Sequence, residues 1–149
     1  MINTILLAED SLEYCFFFKK ALNEIAPSVQ FTNVHDGDQL MMLLESFLPD
    51  LLFLDLSMPC KNGMQCIQQI RQDSSYDALP IVVFTISKQN ANIQTAYECG
   101  ANLYFVKPQE YYELVSSLQT ILSLDWSNPK AITNQHYRSN KYVPFKSVS

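Results

Sequence analysis

Glycine is scarce in this chain: three residues in 149. None follows the first apolar stretch, where a flavin-binding redox protein would need a hydroxyl- and glycine-rich phosphate loop. Long hydrophobic runs are missing too. No segment approaches the roughly 18 consecutive apolar residues of a membrane span, and no basic region precedes the short apolar run at the N-terminus. The chain therefore reads as soluble and cytoplasmic, with no membrane partner. Its four cysteines, Cys15, Cys60, Cys66 and Cys99, form no CxxC pair, and His35 and His136 stand apart from them. They read as reduced core or loop residues, not as a zinc or disulfide framework. Positive charge is short, but unevenly so. Residues 1–123 hold 14 acidic and 6 basic side chains, net −8, whereas residues 124–149 hold 1 and 4, net +3. An acidic body argues against nucleic acid as a direct partner.

What the chain does have is apolar bulk in short pieces. Hydrophobic residues make up 48% of it, enough for one well-buried core and too much for a disordered chain. The stretch from Asp50 to Pro59, DLLFLDLSMP, organises the rest. Leu51 to Leu54 is an apolar run without polar alternation, the pattern of a strand buried on both faces of a parallel sheet. It ends in Asp55, where open α/β sheets place their ligands. Taken alone, Asp55 reads equally well as a loop acid that happens to follow a strand.

Strand and helix then alternate five times. The strands are expected at Ile2–Ala8, Val29–Val34, Leu51–Leu54, Ile81–Thr85 and Leu103–Lys107. The helices are expected at about 11–26, from 36 through Phe47, 62–72, 89–99 and 110–123, each with an apolar stripe at spacings of three and four. Pro27 ends the first helix, Asn62 is placed to cap the third, and Gly100 to stop the fourth. Five βα units with short connections predict an α/β fold: a doubly wound, flavodoxin-like parallel sheet in the order 2-1-3-4-5 with five flanking helices. After about Ser123 the periodicity stops. Residues 1–123 thus read as the domain, and 124–149 as a loose tail, disordered or docked on it.

In that order, the carboxyl ends of strands one, three, four and five are neighbours. They carry Glu9 and Asp10, Asp55, Thr85, and Lys107-Pro108. Two carboxylates about 4 Å apart repel by roughly 4 kcal/mol at an effective dielectric near 20. Lys107 balances only one of three such charges. The hard oxygen donors suit Mg²⁺, which keeps waters for a phosphate-like substrate. One carboxylate can act as nucleophile while the cation and the lysine neutralise phosphoryl oxygens.

These residues resemble a response regulator receiver domain of two-component phosphorelay systems, across about residues 1–123. The match lies in Glu9-Asp10, in Asp55 of D-L-S-M-P, and in Gly63, Thr85 and Lys107-Pro108. The resemblance implies that Asp55 accepts a phosphoryl group from a histidine kinase or a histidine phosphotransfer protein. It implies that Asp10, Asp55 and the carbonyl of Ser57 hold Mg²⁺, with Glu9 acting through water. Thr85 would bond the phosphoryl oxygen, Lys107 would pair with it, and Tyr104 would turn inward on activation. A cis Lys107-Pro108 bond is implied as well. The chain would then be no enzyme beyond its own phosphorylation and dephosphorylation.

Ile86 departs from the family's usual small residue and is expected to slow phosphoryl turnover. No DNA-binding or enzymatic domain is expected to follow. Output should therefore act through helix four, strand five and helix five, with Tyr111, Tyr112 and the aromatic tail nearby, toward a downstream partner or a second copy. Phe17, with Tyr14 and Phe16, belongs either to a donor-docking patch or to the core. An aspartate-nucleophile phosphatase usually has a second aspartate two residues after the first; Ser57 stands there. A flavodoxin-like redox protein would lack Glu9-Asp10 at its phosphate loop.

Overall fold

The computed structural model describes residues 1–147. Five strands, β1 (Thr4–Ala8), β2 (Gln30–Val34), β3 (Leu51–Leu54), β4 (Ile81–Thr85) and β5 (Leu103–Val106), form one parallel sheet in the order β2-β1-β3-β4-β5. Helices α1 (Leu12–Ile25), α2 (Gly37–Leu44), α3 (Gly63–Gln72), α4 (Asn90–Cys99) and α5 (Tyr111–Leu122) connect the strands and follow the last one. The doubly wound, flavodoxin-like expectation is met, with one correction. Six helices flank the sheet, not five, because α6 (Pro129–Gln135) follows α5.

Strand alternation divides the apolar residues between two faces. Leu6, Leu52, Leu54, Val83 and Tyr104 pack against α2, α3 and α4. Ile5, Leu7, Phe53, Phe84 and Phe105 pack against α1 and α5. Both faces being covered is why β3 and β4 read as continuous apolar runs. The cap signals act as expected. Asn62 and Gln65 form a reciprocal capping box at α3, and Gly100 takes φ 119° at the end of α4, a conformation that costs other residues strain. Helix α2 stops at Leu44, one turn before Phe47, yet Phe47 still packs against the core.

Of the two alternatives for the tail, residues 124–147 take the docked one. Trp126 is buried and donates from Nε1 to the Ile121 carbonyl at 2.8 Å. Pro129 opens α6, where its missing N–H is no loss. A hairpin of β6 (Tyr137–Arg138) and β7 (Lys141–Tyr142) follows, turned by Ser139 and Asn140 at φ 53° and 64°. The order comes from aromatic anchors without helical spacing, which a periodicity reading passes over. Residues 148–149 of the expected tail lie outside the described residues.

Candidate functional site

Sheet register brings the strand ends level. The Asp55 N–H donates to the Ala8 carbonyl at 3.0 Å, and the Lys107 N–H to the Thr85 carbonyl at 2.8 Å. Both bonds extend the ladder one residue past the strands, so Glu9, Asp55, Thr85 and Lys107 share one edge. All four are buried, and Glu9 has no solvent exposure. Asp10 is exposed at the rim, and one oxygen each from Glu9, Asp10 and Asp55 lies within 4.8 Å of the others. The Ser57 N–H donates to Asp55 Oδ1 at 3.2 Å and holds the aspartate's rotamer.

Lys107 Nζ sits 2.5 Å from Glu9 Oε1 and 3.3 Å from Asp55 Oδ2. Both contacts are buried ion pairs, and the one with Asp55 also has hydrogen-bond geometry. Glu9 Oε2 accepts from the Ser11 N–H at 3.1 Å. Burial, reinforced by the negative charge of Asp55, pushes the Glu9 carboxyl up to about 7, even with Lys107 pulling the other way. Three carboxylates gathered around a single ammonium are a donor set that a hard divalent cation fits.

The Lys107-Pro108 bond is trans, since the described residues contain no cis peptide. The expected cis bond is therefore corrected. The lysine reaches the site because its own N–H keeps β5 in register with β4 for one residue more, which aims the side chain without a cis turn. Two rings face the ammonium: Tyr14 at 4.0 Å and Phe84 at 5.4 Å from their centroids. Tyr14 was not among the expected site residues. Its place one turn into α1 was legible, but its contact with Lys107 arises only when the sheet closes.

Tyr104 is fully buried and already points inward, and its hydroxyl donates to the Ser87 carbonyl at 2.9 Å. Ile86 is 67% exposed and lines a cavity of about 450 Å³ with Lys107, Pro108 and Phe145. Gly63 starts α3 hard against the site: a Cβ there would lie 2.2 Å from the Asp55 carbonyl oxygen. Tyr111 faces α1, with its hydroxyl on Glu24 Oε2 at 2.8 Å and its ring 5.8 Å from Phe17. It thus joins the α1–α5 contact, while Tyr112 stays exposed.

The family profile of the response regulator receiver domain matches residues 5–119. The chain belongs to that family. This receiver domain is 32% identical over 133 residues to the transcriptional regulatory protein CpxR of Klebsiella pneumoniae, covering 89% of this chain and 55% of that protein. It is 32% identical over 115 residues to the nitrate/nitrite response regulator NarL of Escherichia coli, covering 76% and 52%. The receiver chain thus spans about half the length of these curated relatives. Among solved structures, the Mn²⁺-bound form of response regulator Rcp1 is similar at a TM-score of 0.75 and 28% identity, over 82% of this chain and 93% of that one. The phosphorylated cyanobacterial phytochrome response regulator RcpA is similar at 0.76 and 26%, over 81% and 91%. No helix among the described residues is long and apolar enough to cross a membrane.

Proposed function

We propose that Asp55 is the phosphoacceptor of this receiver domain. Its carboxylate oxygen attacks the phosphorus of a phosphohistidine on a histidine kinase or histidine phosphotransfer protein. The P–N bond breaks, its electron pair stays on the imidazole, and a new P–O bond forms at Asp55. The observation that carries this reading is the cluster of Glu9, Asp10 and Asp55 with Lys107 as its buried cation. Mg²⁺, when bound, supplies charge neutralisation and polarisation of the phosphoryl oxygens. Asp10, Asp55 and the Ser57 carbonyl would hold it, with Glu9 acting through water. That Rcp1 was solved with Mn²⁺ and RcpA in phosphorylated form supports the reading.

The chain's own residues do the rest. Lys107 stands against Asp55 Oδ2, where a phosphoryl oxygen would arrive, and Thr85 ends the neighbouring strand with its hydroxyl at the same edge. Attraction of Thr85 to the phosphoryl group favours the inward Tyr104 and biases α4, β5 and α5 toward one of two arrangements. That surface meets a downstream protein or a second copy. The chain works on itself alone, as acceptor and then as the site of its own dephosphorylation, in the cytoplasm and without touching nucleic acid directly.

The test is uptake of phosphate from a small acyl phosphate. Uptake should require Mg²⁺ and vanish in Asp55→Asn, which stays folded because a repelling charge is removed. A phosphorylated Asp55→Asn chain would sink the assignment.

A further inference from the structure

β5 is the edge strand, so no further strand meets the backbone groups of Tyr104 that face away from β4. Both are nevertheless bonded. The Tyr104 N–H donates to the Tyr97 hydroxyl at 3.0 Å, and the Tyr104 carbonyl accepts from the Phe145 N–H at 2.7 Å. The Tyr97 hydroxyl donates in turn to the Val143 carbonyl at 2.9 Å. Gln94 on the same helix grips Tyr142 with both ends of its amide, accepting from the N–H at 2.8 Å and donating to the carbonyl at 2.7 Å. The Tyr142 ring lies on Tyr97 at 4.7 Å and 14°, and Phe145 meets Phe105 edge-on at 5.7 Å.

Residues 142–145 therefore bridge α4 to the open edge of β5 at the level of Tyr104. An unpaired edge is where a foreign strand would add; here the chain's own C-terminal segment covers it. The Tyr104 ring packs on the α4 face of that edge, with Ile93 and Tyr97, and the bridge ties α4 to the strand beside it.

We propose that residues 142–145 form an intrachain strap that keeps Tyr104 inward, so that seating of the strap and phosphorylation of Asp55 favour each other. The second half of this inference rests on the phosphoacceptor reading, in which inward Tyr104 belongs to the phosphorylated state. Coupling of this kind is reciprocal: loosening the strap must weaken the phosphoryl-bound state by the same factor by which that state tightens the strap.

Gln94→Ala in the full chain is the discriminating variant, because Gln94 touches the strap and not Tyr104. Two quantities are read: the Tyr104 ring conformation by NMR without ligand, and the affinity for beryllofluoride, a phosphoryl mimic, with Mg²⁺. Faster exchange of the Phe145 amide, an outward Tyr104 population, and affinity lower by about fivefold are expected. A freely exchanging Phe145 amide with the ring still inward would overturn the strap. If Gln94→Ala leaves the strap seated, Phe145→Pro removes both its ring and its N–H, and a Tyr104 ring still inward in that variant would overturn the strap. Wild-type protein that takes no beryllofluoride would defeat the phosphoacceptor reading instead, and the ring conformation would still decide whether the strap holds Tyr104.

Discussion

Two cations, Lys107 buried and Arg71 half-buried, serve opposite ends of the sheet in opposite ways. At the amino end, Arg71 donates to the carbonyls of Gly100, Tyr76 and Leu79 and to Asn102 Oδ1, all at 2.8–3.0 Å. Asn102 Oδ1 also accepts from the Ile81 N–H, so one guanidinium ties the starts of β4 and β5 together. No carboxylate takes part in this set, and every acceptor is neutral. At the carboxyl end, Lys107 faces two buried carboxylates, with the third, Asp10, at the rim. The difference separates a cation that completes a structure from one that holds a site ready. The first has nothing left to bind; the second stands among more negative charge than it can balance.

The comparison is best broken at Arg71. Arg71→Met keeps the apolar stem and strips four half-buried hydrogen bonds from their acceptors. It should cost about 4 kcal/mol in urea unfolding, while the folded fraction still takes up phosphate. Loss of phosphate uptake at unchanged stability would contradict the division. The carboxyl end should respond to pH instead. With Glu9 raised to about 7 in the fold, its contribution to stability is complete below its unfolded value of 4.5 and is lost as pH rises through 7. In chelator, stability should fall by about 3 kcal/mol at most across that window, facing as it does Asp55, Lys107 and the Ser11 N–H. Glu9→Gln should remove the slope, and added Mg²⁺ should flatten it; a slope unchanged in Glu9→Gln would point to another group.

Smaller effects sharpen the picture around Lys107. Tyr14→Leu removes the ring 4.0 Å from its ammonium, a contact of about 1 kcal/mol. Phosphorylation by a small acyl phosphate should slow several-fold, with little change in donor concentration dependence. Equal rates would show that the carboxylates alone place the lysine. The smallest effect is expected at exposed Ile86. Ile86→Ala should leave stability unchanged and shorten the life of the phosphoaspartate; an unchanged rate would remove the gating idea.

Much of this was legible before any coordinates. β3 and β4 announce themselves as unbroken apolar runs because the sheet is covered on both faces, and Asn62 and Gly100 mark helix ends by chemistry alone. Glu9, Asp55, Thr85 and Lys107 could be gathered at one edge because strand order fixes which strand ends are neighbours. What stayed hidden depends on contacts between distant parts of the chain. The hold of Arg71 on Asn102, the ring of Tyr14 over Lys107, and the tail aromatics on Tyr97 and Phe105 have no periodic signature.

The close approach at Gly63 bears on which parts of the site can travel. Any side chain there would collide with the main chain of Asp55 itself, so the first turn of α3 is seated directly on the Asp55 backbone. Asp55 is thus backed by an abutment. On the phosphoacceptor reading, charge arriving on Asp55 would meet that wall on the β3 side, which leaves Thr85, the last strand and the strap against it as the bank that can give way.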